Sequence, residues 1–216
     1  MSKQIFITGV QRSGGSIIAN IIKGCGAFSG GVDAHMENIM LKKLMDGYLA
    51  SLLADPRGQS PLPEACQIYT PADFRQRVYQ QLTSDWDGRS VWMYKSHRLL
   101  LTWKLWRNEF PDAKWVIVRR RTGDVVDSCL KTAYLNAYET NEEWITWIHA
   151  YEQRMVELIL SGANCQVIYP ERIVQGDYSK VFQLIQWLGL EWNDEVISQI
   201  EPLLWKTRKK YENYSS

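Results

Sequence analysis

A loop near the start of the chain has the residue types that hold an anion. It covers residues 9–16 and reads G-V-Q-R-S-G-G-S. Glycines allow backbone N–H groups to turn inward, and a following helix adds partial positive charge at its N-terminus. The loop matches the phosphate-binding pattern G-x-x-x-x-G-K-[S/T] at both glycines and at the final serine, but Gly15 replaces the lysine. We therefore expect a phosphate-type anion in the loop. A tight turn without a ligand is the alternative.

The missing lysine bears on which ligand the loop holds. Enzymes that use ATP or GTP place that lysine on the β- and γ-phosphates, while a serine or threonine holds Mg²⁺. Here the positive charge inside the loop belongs to Arg12. This arrangement favours a donor whose transferred group carries less charge and needs no metal.

A second group of polar residues follows an apolar run, W-V-I-V, that is typical of a buried strand. Arg120 comes just after this strand, and Asp124 and Ser128 lie four residues apart on one face of the helix predicted next. A guanidinium binds phosphate through two parallel hydrogen bonds, and a serine hydroxyl can join it. The spacing indicates a second phosphate site, with a solvated basic turn as the alternative. Arg119 and Arg121 are left without a role.

A third group, Lys95-Ser96-His97, ends another apolar run. Histidine is a natural general base because its pKa lies near neutral pH. A lysine beside it can stabilise developing negative charge. These residue types are suited to proton transfer, while a purely structural histidine is an equally good alternative.

The first loop resembles the 5′-phosphosulfate loop of sulfotransferases that use 3′-phosphoadenosine 5′-phosphosulfate (PAPS). That loop is commonly written [K/R]-S-G-[T/S]-[T/S]. The resemblance implies that Arg12 contacts the leaving phosphate and the sulfuryl oxygens. It also implies that Ser13, Gly14, Gly15 and Ser16 line the phosphosulfate. Gly15 departs from the pattern, because the family usually has a threonine or serine there.

The other two groups are similar to motifs of the same family. The R-x-x-x-D-x-x-x-S spacing resembles its 3′-phosphate motif, which implies that Arg120 and Ser128 bind the 3′-phosphate. K-S-H resembles its K-T-H segment, which implies that His97 is the base and Lys95 the charge partner. Some branches use a glutamate shortly after the first helix, so Glu37 or His35 could be the base instead, and we prefer His97.

The elements that must position these residues alternate between strands and helices. Such alternation predicts an α/β fold with a mainly parallel central sheet flanked by helices, and ligands at the carboxyl ends of its strands. The resemblance specifies a P-loop, nucleotide-kinase-like sulfotransferase fold, which we expect to form one domain over residues 1–216. The expected strands are 4–8, 91–94, 115–118 and 166–169. The expected helices are about 16–23, 35–53, 72–82, 99–110, 125–138, 141–160, 178–188 and 194–204, with a long loop over 55–71.

The composition narrows the class of protein. The chain has 216 residues, 45% of them apolar, and a net charge of +1, so a general nucleic-acid coat is a poor interpretation. Four widely spaced cysteines form no zinc motif, and we expect free thiols. No segment is long and apolar enough to be a signal peptide or to span a bilayer, so we expect a cytoplasmic protein. Nothing indicates an oligomeric state.

These observations together predict transfer of a sulfuryl group from PAPS to an acceptor hydroxyl, or less favourably an amine, with 3′,5′-ADP as the product and no metal. The acceptor is expected to be a small molecule or a carbohydrate. The alternatives are an ATP-dependent P-loop kinase and a non-catalytic nucleotide- or glycan-binding module. Ten tryptophans are unusually many, and we expect most in the core. A few, from Trp103, Trp106, Trp144 and Trp147, could line an acceptor pocket. The basic tail, 205–210, is expected to be solvated.

Overall fold

The computed structural model describes residues 3–83 and 86–212 of the chain, and its central feature is a parallel sheet. Within these residues the sheet has four strands in the order β2-β1-β3-β4, so the first strand lies at its centre. All three neighbouring pairs are parallel, which confirms the expected α/β class. The strands are β1 (Lys3–Thr8), β2 (Val91–Lys95), β3 (Lys114–Val118) and β4 (Asn164–Ile168).

Helices connect the strands and cover both faces of the sheet. They are α1 (Gly15–Gly24), α2 (Ile39–Ser51), α3 (Phe74–Thr83), α4 (Arg98–Leu101), α5 (Trp103–Glu109), α6 (Thr122–Leu130), α7 (Asn141–Leu160), α8 (Glu171–Val174), α9 (Ser179–Leu188) and α10 (Glu195–Glu212), with a short 3₁₀ turn at Ala65–Gln67. No helix in the described part of the chain is long and apolar enough to cross a membrane. Because successive strand residues point to opposite faces, β1 contributes to a separate apolar layer on each side.

One of these layers is aromatic. Phe6 of β1 packs edge-to-face against Trp106 and Trp115, with ring centres 5.1 and 4.9 Å apart. The same layer holds Trp92, Trp103, Trp144 and Trp147, all buried. The opposite layer is aliphatic and includes Ile5, Ile7 and Ile18. Aromatic pairs in this geometry add to the stabilisation that burial alone provides. Most tryptophans are therefore core residues, as expected.

Two tryptophans that we expected in the core lie at its edge instead. Trp187 and Trp192 are only partly buried, at the outer edge of the aliphatic layer. Trp187 lies against the ammonium of Lys114, and Trp192 donates its indole N–H to Asp194 at 2.8 Å. An indole can bury its apolar body and still keep its polar N–H at the surface, which suits such edge positions.

Three helix boundaries were predicted wrongly: α10 ends at Glu212 rather than near residue 204, and polar side chains explain the other two. Helix α2 begins at Ile39 rather than near residue 35, because Asp33 accepts the N–H groups of His35 and Glu37 and holds a turn. Helix α6 ends at Leu130 rather than near residue 138. The amide of Gln59 accepts the N–H groups of residues 136 and 137, which stabilises a loop instead. The expected helix 99–110 is also divided, into α4 and α5.

Candidate functional site

The glycine-containing loop lies at the carboxyl end of β1 and leads directly into α1. A Cβ built on Gly9 would lie 2.1 Å from the carbonyl oxygen of Val118, so the backbone of β3 leaves room only for glycine. Gly14 caps the helix with φ 92°, a left-handed conformation that glycine adopts without strain. The N–H of Ser13 bonds to the carbonyl of Val10 at 3.1 Å. The loop is thus a tight turn that presents the N-terminus of α1 to the edge of the sheet where ligands bind.

Arg12 connects this loop to the second predicted phosphate motif. Its Nε donates to Ser128 Oγ at 2.9 Å, and its Nη1 lies 3.4 Å from the hydroxyl of Tyr134. Arg120 Nη1 in turn donates to the backbone carbonyl of Arg12 at 3.4 Å. Arg120 Nε lies 4.0 Å from Asp124, which follows four residues later in the first turn of α6. Two motifs more than a hundred residues apart in sequence therefore meet at one point.

Lys95 reaches the same place from the neighbouring strand. It ends β2 and pairs in register with Ile7 of β1, so its side chain leaves the sheet beside the loop. Its Nζ lies 3.4 Å from Oε1 of Glu37. A Cβ built on Gly15 would lie 3.2 Å from the Cε of Lys95, a close contact. The absence of a side chain at Gly15 leaves the space that the lysine stem occupies.

Glu37 is the centre of a buried cluster of charges. Arg98 donates from Nη2 to Oε2 of Glu37 and from Nη1 to Asp46, and both are short contacts. Arg98 Nη1 also donates to the carbonyl of Pro56 at 2.8 Å. His97 places its Nδ1 3.6 Å from Oε1 of Glu37, beyond hydrogen-bond distance but close enough for strong electrostatic interaction in a buried site. The carboxylate is therefore surrounded by three basic groups.

The cluster changes the proton affinity of its members. Burial alone would raise the pKa of the Glu37 carboxyl, but His97, Lys95 and Arg98 outweigh burial and hold that pKa well below its ordinary value. Burial lowers the pKa of His97, and the nearby Glu37 opposes this only in part. Burial likewise lowers the pKa of Lys95 despite its contact with Glu37. Glu37 is accordingly ionised at neutral pH.

His97 is engaged on both ring nitrogens. Its Nε2 lies 3.0 Å from the backbone oxygen of Arg57, and a carbonyl can only accept, so Nε2 carries a proton. The other nitrogen faces Glu37. Gly58 covers the ring from outside, since a Cβ at that position would lie 3.2 Å from Nε2. His35, by contrast, lies at the exposed rim of the loop, where its backbone oxygen accepts the hydroxyl of Ser16 at 2.9 Å.

These residues enclose a cavity of about 460 Å³. It brings together every residue expected to bind the donor or to act as the base except Ser128, whose hydroxyl accepts a hydrogen bond from Arg12. Among the described residues, six lysine and arginine side chains and two carboxylates line it, although the whole chain carries a charge of only +1. The cavity therefore concentrates positive charge, which suits an anionic ligand. The six basic residues are Arg12, Lys42, Arg57, Lys95, Arg98 and Arg120.

Several residues of the cavity escaped the sequence analysis. Arg98 follows the K-S-H group directly, and its position next to that group is a signal that could have drawn attention to it. Arg57 and Gln59 come from the long loop over 55–71, and Tyr134 from a segment expected to be helical. No spacing rule links these segments to the motifs. None of the buried tryptophans lines the cavity in the described part of the chain, so the pocket role considered for four of them is not supported.

The described side chains form no candidate metal site. In the residues that the structure describes, no group of three or more His, Cys, Asp or Glu is placed to hold a metal. That the reaction needs no metal stays a prediction.

The fold and the loop define the class of protein. A parallel sheet with a glycine-containing turn leading into α1 is the P-loop-like architecture. The sequence profile of the sulfotransferase family matches residues 4–194, and the chain belongs to this family. No curated protein matches the chain.

The fold of a solved sulfotransferase agrees with this assignment, and a second, weaker match is to a dehydratase. The sulfotransferase STF1 from Mycobacterium tuberculosis is 14% identical, with a TM-score of 0.57, and the match covers 91% of this chain and 70% of that one. Retinol dehydratase, solved with androsterone and the inactive cofactor PAP, is 13% identical with a TM-score of 0.45. That match covers 93% of this chain and 64% of the dehydratase.

Proposed function

We propose that the protein transfers a sulfuryl group from PAPS to an acceptor hydroxyl and releases 3′,5′-ADP. The observation that carries the proposal is the convergence at Arg12. Arg12 belongs to the loop, and its side chain donates a hydrogen bond to Ser128. Its backbone carbonyl accepts a hydrogen bond from Arg120. One residue therefore links the loop with the two residues suited to bind a second phosphate. PAPS has two anionic groups, a 5′-phosphosulfate and a 3′-phosphate, and an arrangement with two linked anion sites fits them both.

The donor fits the residues that are present. The cavity is rich in basic side chains, and Gly9 and Gly14 form a turn that side chains would obstruct. In this proposal the turn and the start of α1, from Ser13 to Ser16, hold the phosphosulfate, while Arg120 and Ser128 hold the 3′-phosphate. PAPS supplies a sulfuryl group on a phosphate leaving group.

Positive charge near the reacting group comes from two directions. Arg12 extends from the loop, and Lys95 extends from β2 across the space beside Gly15. Fixed positive groups of this kind stabilise negative charge that develops in a transition state, especially where water is excluded. Lys95 is largely buried, which strengthens its interaction with a bound anion.

We propose Glu37 as the base, and His97 as a residue that positions it. Nε2 of His97 is bound to a backbone carbonyl and its Nδ1 faces Glu37, whereas Oε1 of the ionised Glu37 makes only longer contacts, the nearest with Lys95 at 3.4 Å. A carboxylate of low pKa can accept a proton when the acceptor oxygen has become acidic through bonding to sulfur. The earlier preference for His97 stays a competing prediction, and His35 at the rim is a weaker third choice.

Substitutions separate the two bases. Glu37→Gln should lower kcat by about 100-fold or more, as loss of a general base does. His97→Asn should lower kcat by roughly tenfold or less, since an amide N–H can still donate to a carbonyl. Retained binding of 3′,5′-ADP shows that each variant keeps its site. A loss for His97→Asn as large as that for Glu37→Gln would restore His97 as the base.

A thermal-shift measurement tests the donor against the rival functions. With 3′,5′-ADP at 100 times its Kd, a ligand that binds only the folded state adds about 2.7 kcal/mol. For a chain of this size that corresponds to a Tm increase of about 5–10 °C. A shift with ATP and Mg²⁺ but none with 3′,5′-ADP would favour the kinase. Binding of 3′,5′-ADP without sulfate transfer to any acceptor would favour a binding module.

Neighbouring arginines provide a matched control for the 3′-phosphate site. Arg120→Ala should abolish the 3′,5′-ADP shift, because Arg120 lines the cavity. Arg119→Ala should leave that shift within about 1 °C, because Arg119 pairs with Glu152 at 2.6 Å outside the cavity. Equal effects of the two substitutions would contradict the proposed site.

A further inference from the structure

The cavity keeps positive charge that the donor does not use. Three of its six lysine and arginine side chains are assigned to the donor above, and the others are Lys42, Arg57 and Arg98. Arg98 is buried and bound to two carboxylates of the protein. Lys42 pairs with Asp33 at 3.2 Å, and Asp33 is itself a cavity residue. Arg57 differs from both, because it is largely exposed and is not paired with any carboxylate that lines the cavity.

The backbone of Arg57 lies beside His97, and its side chain extends to the solvent. Its backbone carbonyl accepts a hydrogen bond from His97 Nε2, and the other nitrogen of the same ring faces the proposed base, Glu37. Its side chain is 59% exposed, against 14% for Lys95 and 17% for Arg120. The guanidinium contacts Asp55 Oδ1 and Asn136 Oδ1, each at 3.4 Å. An incoming acceptor would therefore find this guanidinium on its way to Glu37.

The loop that carries Arg57 is firmly held. The carbonyl of Gly58 accepts two hydrogen bonds, from Trp147 Nε1 at 3.0 Å and from the Tyr151 hydroxyl at 2.8 Å. The next residue, Gln59, is fully buried and bonds through its amide to the loop after α6. A charge on such a support is preorganised for binding, unlike that of a long side chain on a free loop.

The rest of the wall does not suit an apolar acceptor. Its apolar members in the described chain are Ile7, Val10 and Ile17, of which the first two belong to the core. The rings that line it there are those of Tyr134, His35 and His97, rather than the many tryptophans and phenylalanines of the aromatic layer. A flat hydrocarbon would leave the charged groups desolvated without partners, which is costly.

We propose that the acceptor is a hydroxyl compound that carries a negative charge, and that Arg57 binds that charge. This inference rests on the proposed sulfuryl transfer. Arg57 would select the acceptor by a charge-assisted hydrogen bond while its own carbonyl holds His97. The acceptor hydroxyl would then lie at Glu37, and its anionic group would lie toward the mouth of the cavity.

Matched acceptor pairs test the inference by binding, without turnover. The protein is saturated with 3′,5′-ADP, and calorimetry measures three pairs that differ only in charge. The pairs are methyl glucuronide with methyl glucoside, 3-hydroxybutyrate with its methyl ester, and 4-hydroxybenzoate with its methyl ester. We expect the charged member of at least one pair to bind about tenfold more tightly, consistent with a hydrogen bond to a charged group. The preference should weaken in 0.5 M salt.

A second Asp-x-Arg pair provides the control variant. Arg89 has the same local arrangement, an ion pair with Asp87 at 3.0 Å and a backbone N–H bonded to the same carboxylate, but lies outside the cavity. Arg57→Ala should remove the preference for the charged member, and Arg89→Ala should keep it. The inference is overturned if no charged member binds more tightly, or if Arg57→Ala weakens both members of a pair equally. Failure of 3′,5′-ADP itself to bind would instead overturn the proposed function.

Discussion

The buried contact between Arg98 and Glu37 should contribute strongly to stability, and Arg98→Met tests this. Arg98 is 3% exposed and bonds to Glu37, to Asp46 and to the carbonyl of Pro56. Methionine fills much of the space but leaves the Glu37 carboxylate buried without its closest partner. Removing one partner of a buried ion pair typically costs about 3–5 kcal/mol. For a chain of this length we expect a decrease in Tm of roughly 10 °C.

The cost should depend on pH in a defined direction. In the folded protein the pKa of Glu37 lies below its ordinary value of 4.5, so ionised Glu37 stabilises the fold above the unfolded-state pKa. That contribution is lost as pH falls through the lower folded-state pKa. In Arg98→Met the folded-state pKa of Glu37 rises, and protonation then relieves the unpaired charge. The difference between wild type and variant should therefore be largest near pH 7 and smaller at pH 4.

Urea unfolding at pH 7 and pH 4 measures both effects. The matched control is Arg119→Met, because the Arg119–Glu152 pair has a contact of 2.6 Å but is partly exposed on both sides. Exposed pairs contribute about 0–1 kcal/mol, so this variant should remain close to wild type. If Arg98→Met costs no more than Arg119→Met at pH 7, or if its cost is the same at both pH values, the account of the buried cluster is wrong.

Three further results are expected. Gly15→Thr should lower kcat at least tenfold while 3′,5′-ADP still binds, because the new Cβ would lie 3.2 Å from the Cε of Lys95 and displace the ammonium. Sulfate-transfer kinetics measure this, and an unchanged kcat would contradict it. Trp147→Phe should raise KM for the acceptor more than for the donor, because the lost indole N–H anchors the loop beside the cavity; equal effects on both KM values would refute it. A thiol reagent should label exposed Cys66 in the native protein but Cys129 only after unfolding, since burial raises the pKa of Cys129 to about 12; mass spectrometry would reveal early labelling of Cys129 if that is wrong.

The sheet and the motif positions were predictable from the sequence because each depends on local patterns. A continuous apolar run such as W-V-I-V indicates a strand buried on both faces, and β3 is such a strand. A glycine turn followed by a helical pattern indicates the loop before α1. Parallel strands then bring the residues that follow them to one edge of the sheet. This is why Arg12, Lys95 and Arg120 could be placed together without any contact information.

The parts that sequence analysis missed depend on contacts between distant segments. The end of α6 is set by Gln59, which lies more than 70 residues earlier and accepts the N–H groups that a longer helix would have used internally. Helix propensity cannot detect such a competitor. The Arg98 cluster depends in the same way on α2, on the loop around Pro56 and on the end of β2 meeting in space. The side chains of the basic tail, 205–210, lie outside those that the structure describes.

The missing lysine of the loop and the K-S-H group after β2 belong to one arrangement. A lysine at position 15 would place its stem where Lys95 now lies, because even a Cβ there comes within 3.2 Å of the Lys95 side chain. Long basic side chains at both positions would compete for the same space. The register of β1 and β2 pairs Ile7 with Lys95. The Lys95 side chain therefore extends from β2 to the loop and lies beside position 15, where the phosphate-binding pattern has its lysine. A charge from β2 is also tied to Glu37, which a lysine inside the loop would not require. The same residue can thus hold the anionic donor and orient the carboxylate proposed to receive the acceptor's proton.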